Sequence, residues 1–170
     1  MSLSGREFWT VVHGMILGTV FLVAFAGGLA GLWSLRPEWV TAAGVTERLR
    51  RLRAGTWIMA LTAWLTVFTG TYLVYPWYRA PIKESARSIL LSSPSTRLWH
   101  TFGMEWKEHV GWAAPILATA VAYVVVYYGE QLEDSPQIRN ALMILFTIAF
   151  VAAGIAGLFG AFLNKVAPIR

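Results

Sequence analysis

Residues 8–35 read "FWTVVHGMILGTVFLVAFAGGLAGLWSL", and this stretch decides the fold. It holds one imidazole, His13, and no Asp, Glu, Lys or Arg. A helix needs about 20 mostly apolar residues to cross a bilayer core, and this run exceeds that length. It is also far longer than the apolar core of a signal peptide and lacks a small-residue cleavage site after a short core, so it is expected to stay in the mature protein. Of three further stretches, 54–75 and 109–128 carry no charge beyond His109 at the edge of the latter, and 138–163 carries only Arg139, at its start.

Composition agrees with that solvent. Apolar residues make up 56% of the 170-residue chain and charged residues 14%, against roughly a quarter charged in soluble domains. The expectation is an all-α, integral membrane four-helix bundle in one domain, 1–170, residing in the bacterial cytoplasmic (inner) membrane. There are no cysteines, which excludes disulfides, thiolate metal sites, iron–sulfur clusters and covalently attached c-type haem. No nucleophile, carboxylate pair or phosphate loop points to a lone catalytic role.

Local chemistry marks the helix limits. Ser4 and Glu7 have the spacing of a capping box, which starts the first helix near Gly5. Ser135-Pro136 is expected to cap the fourth, with Pro in the first turn where its missing N–H costs nothing. Pro37 and Pro76 close the first two helices. Pro115 is expected to kink the third and to free the carbonyl near Gly111.

The connections differ in length. The turn about 129–137 makes the last two helices antiparallel neighbours. Between the first two, Arg48, Arg50, Arg51 and Arg53 read as headgroup anchors on an extension of the second helix, so lipid is expected around them and a nucleic-acid partner is not. Residues 76–108 are too long for a plain bundle turn. Their middle, "KESARSILLSS" at 83–93, reads as a short interfacial helix with Ile89, Leu90 and Leu91 beside Lys83 and Arg87. With four spans the termini and this long loop share one face, side A, holding Arg6, Arg79, Lys83, Arg87, Arg97, Lys107, Lys165 and Arg170. Side B holds Arg36, Arg139 and the cluster Arg48 to Arg53. Eight basic residues against six leave the orientation open.

The three histidines bear on chemistry, and all belong to the side A leaflet. An unsatisfied imidazole in hydrocarbon is costly, so His13 within a span is a site hypothesis. His109 opens the third segment in "WKEHVGWAAPILATAV", 106–121, while His100 lies in the long loop. Two imidazoles on different helices suit the axial positions of one haem b, with arginine or lysine at headgroup level for its propionates. The pair expected is His13 with His109, with His100 as substitute ligand; Gly14 and Gly18 clear room beside the first helix, and Arg97 joins Arg6, Arg79 and Lys107 at the rim. Packing alone also accounts for these glycines, because small residues four apart let membrane helices approach closely. Glu105 and His109, i and i+4, with His100 or His13 form a weaker alternative for a bare metal ion.

Four helices with histidines on the first and third near one surface resemble the small b-type cytochrome membrane subunits of respiratory oxidoreductases. That resemblance implies a redox complex, other membrane redox subunits as partners, and electrons passed to or from quinone. The chain has only three histidines, so at most one bis-His haem is implied. The rival expectation is a cofactor-free accessory subunit that packs against a larger respiratory or photosynthetic complex through Ala153, Gly157 and Ala161. In the redox reading, Arg79, Arg87 and Arg97 form a basic rim for an acidic partner outside the bilayer.

Overall fold

The computed structural model describes residues 3–169, so Arg170 lies outside the described residues. Four helices are long and apolar enough to cross a membrane: α1 (Gly5–Ser34), α2 (Ala43–Tyr78), α4 (Pro94–Gln131) and α5 (Pro136–Val166). A short helix, α3 (Ala86–Leu91), interrupts the connection between α2 and α4. No strand occurs among the described residues.

The expected capping box is formed: Ser4 Oγ accepts the Glu7 N–H at 3.2 Å and Glu7 Oε2 accepts the Ser4 N–H at 2.8 Å. The start of α5 differs from expectation. Pro136 occupies the first turn, but the Ser135 side chain makes no cap bond. Arg139 holds this corner instead; it is buried, and its Nη1 donates to the carbonyls of Leu132 at 2.7 Å and Glu133 at 3.0 Å. A guanidinium supplies several donors in a fixed fork, which suits a turn with exposed carbonyls.

The third long helix begins at Pro94, well ahead of the apolar stretch at 109. The sequence reads as loop there because His100, Glu105, Lys107 and Glu108 interrupt the apolar pattern, whereas the fold gives several of these groups partners inside the bundle. The helix breaks at Val110–Trp112 and resumes at Ala113, so that Pro115 falls in its first turn. This is the kink expected from Pro115, displaced toward side A as the proline's clash with the carbonyl four residues earlier requires.

Around the bundle, α1 packs on α2 and α5, and α4 packs on the same two, so α1 and α4 face each other diagonally. Lipid tails are as apolar as leucine, so shape rather than water exclusion decides packing in a membrane. The main core is correspondingly close. Phe25 stacks on Phe150 with centroids 4.0 Å apart, Phe21 lies 6.2 Å from the same ring, and Phe146 fills the space beside Gly28, where a Cβ would stand 2.7 Å from its ring. The Trp64 indole N–H donates to Thr119 Oγ1 at 3.0 Å and ties α2 to α4.

A second, smaller core closes side A: Tyr78, Ala86, Leu90, Met104, Leu163 and Ala167 pack together, seating α3 on the ends of α2, α4 and α5. On side B, Arg48 donates to the carbonyls of Ser34 and Trp39, while Arg50 and Arg51 pair with Glu47 at 2.8 and 2.7 Å. Arg36 stacks on Trp33, 4.1 Å from the ring centre.

Candidate functional site: the polar interior near side A

His13 sits in a π-helical turn of α1, Val12–Ile16, and its ring faces α2. Its Nδ1 lies 3.0 Å from Thr69 Oγ1. The Thr69 hydroxyl has one proton and gives it to its own helix, at 2.7 Å from the Leu65 carbonyl and 3.2 Å from that of Thr66. Thr69 can therefore only accept from the ring, which places the proton on Nδ1 and leaves Nε2 with a lone pair. The ring rests on Gly70, where a Cβ would stand 2.8 Å from Cε1. Gly70 itself opens a second π-helical turn, Gly70–Val74. The two turns face each other across the α1–α2 contact.

His100 lies in a third π-helical turn, Trp99–Met104, and is buried; its Nδ1 is 2.8 Å from the Tyr78 hydroxyl. Such turns are rare and recur at functional sites. All three stand in the side A half of the bundle, and none has a sequence signature.

His109 behaves differently. Its Nδ1 lies 2.8 Å from the carbonyl oxygen of Glu105, an acceptor only, so here too Nδ1 carries the proton. Its side chain is 73% exposed. His13 thus points into the bundle toward α2, and His109 presents its ring at the surface. The structure does not bring the two rings to one point within the chain. Gly14 is exposed and Gly18 half-buried, both with open space where a Cβ would stand, and Arg97 is exposed. Among the described residues, no three His, Cys, Asp or Glu side chains converge as a metal would need.

The side chains that do converge are ones the sequence left at the rim. Glu108 accepts from the Tyr75 hydroxyl at 3.1 Å and from Arg79 Nη2 at 3.2 Å to each oxygen. Glu105 stands 3.7 Å from the same Arg79 nitrogen, and the Arg79 guanidinium lies over the Tyr75 ring at 4.8 Å. Arg79 is therefore committed to joining α2 to α4, which removes it from the expected basic rim. Lys107 turns the other way. Its Nζ lies 2.7 Å from where a Gly160 Cβ would stand on α5, and the side chain is half-buried.

These contacts define what the arrangement can do. The His13 imidazole, an acceptor at Nε2, lies against α2 at Gly70, the Lys107 ammonium lies against α5 at Gly160, and Glu108, Arg79 and Tyr75 form a clasp between α2 and α4. For a haem b the axial rings would have to face each other across an apolar slot. His13 and His109 do not meet that condition as placed. Comparisons with protein-family models, with curated proteins and with solved structures find no match. The resemblance to small b-type cytochrome subunits rests on architecture.

Proposed function

We propose that the chain is a non-catalytic membrane subunit that packs against and stabilises a larger complex of the respiratory or photosynthetic class. One observation carries this reading: Gly14 and Gly18 on α1, and Gly154 and Gly157 on α5, have no heavy atom within 4 Å of the position a Cβ would take. Two neighbouring helices thus offer small-residue surface that this chain does not cover, including the Gly157 and Ala161 face of α5, where both residues are exposed. Surfaces of that kind permit close helix approach, which drives association in lipid. Native gel electrophoresis of mildly solubilised membranes tests it. The chain should migrate in a complex well above its own mass, and Gly157→Leu should release it; migration of the wild type as a free monomer or homodimer would end the reading.

A second reading, a redox subunit holding one haem b and relaying electrons to or from quinone, draws support from the histidine tautomers. Ligating imidazoles commonly donate Nδ1–H to an oxygen and coordinate through Nε2, as His13 and His109 are poised to do. Because the two rings diverge, a shared iron would require His109 to leave the Glu105 carbonyl and turn inward, or a second ligand from another subunit. A reduced-minus-oxidised absorption spectrum of the purified chain separates the readings, since only the second expects a low-spin haem band.

A further inference from the structure

We propose that the side A half of the α1–α5 seam receives a transmembrane helix of a partner subunit bearing one carboxylate at the level of Lys107. The inference rests on the subunit reading above and names the chemistry of the partner.

Lys107 is the first reason. No carboxylate of the chain pairs with it among the described residues. Its neighbours Glu105 and Glu108 are turned to Arg79, at the end of α2. The ammonium end approaches α5 at Gly160, six residues before the end of that helix, or about 9 Å below it at 1.5 Å rise per residue. Ionisable groups at such depth pair with one another or with backbone oxygens. This one lacks its counterpart.

The seam is the second reason, and it is independent. α1 and α5 run antiparallel, and Phe21 with Phe150 and Phe25 with Phe146 fix their register. Carried toward side A, that register sets Gly18 level with Ala153 and Gly14 level with Gly157. The ring contacts that close the two helices together all lie on the side B side of this point. Beyond it the Val12–Ile16 turn still approaches α5, but Gly14 and Gly157 each face open space, so the groove along the seam is free of side chains at both. A glycine-lined groove beside an unpaired ammonium suits a helix with a carboxylate. An acyl chain gains little from missing Cβ atoms, and a lipid phosphate sits at headgroup level, above the ammonium.

The test uses the purified full chain in phosphatidylcholine vesicles at neutral pH. The probes are two Leu/Ala transmembrane peptides with one glycine face, differing only in Glu or Gln at the depth of Lys107, and association is read by energy transfer. The Glu peptide should bind at least tenfold more tightly than the Gln peptide. Lys107→Met should abolish that preference, Lys107→Arg should keep it, and Gly157→Leu should weaken both peptides. Helix content by circular dichroism identifies any variant that fails to fold, and the Lys107→Arg comparison stands without the Met variant. Equal binding of the two peptides would overturn the proposal. So would displacement of the Glu peptide by phosphatidylglycerol with an unchanged Lys107→Met variant, which would make the seam a lipid site. Either failure leaves the subunit reading to its native-gel test.

Discussion

The imidazole of His13 gives its Nδ1 proton to Thr69, and it is the hydroxyl's own commitment to the Leu65 carbonyl that forces this direction. A back-bonded threonine is usually a local matter within a helix. Here it fixes the tautomer of a residue on another helix and leaves Nε2 as the acceptor of the ring.

The first prediction follows from that bond. In ¹⁵N-histidine-labelled protein, His13 should show a protonated Nδ1 and an unprotonated Nε2. Thr69→Val removes the acceptor and should release His13 to a mixture of tautomers, at a cost of about 1 kcal/mol for the lost bond. A wild-type spectrum with the proton on Nε2 would mean that the Thr69 hydroxyl does not face Leu65 in solution.

Gly70 gives a steric counterpart. Any Cβ at this position meets the His13 ring at 2.8 Å, between two helix backbones that cannot easily part. Gly70→Ala should lower stability by roughly 1–3 kcal/mol, the usual range for overpacking. The double variant Gly70→Ala, His13→Ala should recover most of that loss. Failure to recover it would show that the cost lies in the backbone of the Gly70–Val74 turn rather than in the ring.

Adjacent glycines on α1 offer a sharper contrast. At Gly28 an added methyl would stand 2.7 Å from the Phe146 ring, whereas at Gly27 it would meet nothing. Thermal unfolding of the isolated chain in detergent should therefore separate Gly28→Ala, destabilised by about 1–3 kcal/mol, from Gly27→Ala, which should match or slightly exceed wild type because alanine favours helix. Similar losses in both would place the α1–α5 packing in a different register.

Much of this fold is legible in the sequence, and the reasons are physical. The stretch 8–35 can satisfy its backbone in lipid only as a helix, so its identity follows from length and charge alone. The depth of His13 follows as well. Its partners do not, since Thr69 is 56 residues away and no local pattern marks the contact. The direction of Lys107 is hidden for another reason. A regular helix advances about 100° per residue, but α4 carries the π-helical turn Trp99–Met104 before Lys107 and a break at Val110–Trp112 after it. Each irregularity shifts the phase, so His109, expected to face inward, lies at the surface, while Lys107, expected at the rim, reaches toward Gly160.

Topology gives a prediction independent of side chains. Reporter fusions after residue 169 and within the 79–93 connection should report the same side of the membrane, and one placed near Arg50 the other, because one crossing separates Arg50 from that connection and two more separate the connection from residue 169. Identical reports from all three positions would leave fewer than four helices crossing.

The clasp at the side A end supplies the last prediction. Glu108 accepts from both Tyr75 and Arg79, and α3 is seated on the same end of the bundle through Leu90 and Tyr78. Glu108→Gln keeps the shape and removes the charge, leaving Arg79 only Glu105, at 3.7 Å. Arg79 is partly exposed, so the ion pair itself contributes no more than about 1 kcal/mol. Global unfolding should hardly change. The consequence should be local: with α2 less firmly held to α4, the 79–93 connection opens more often, and trypsin should cut at Lys83 and Arg87 several-fold faster, in proportion to the population of the open form. Tyr75→Phe, which removes one hydrogen bond and leaves the charge pair, should accelerate cleavage less. If Glu108→Gln and wild type are cut at equal rates while Leu90→Ala is cut faster, the apolar seat of α3 alone holds the connection, and the polar clasp acts only between α2 and α4.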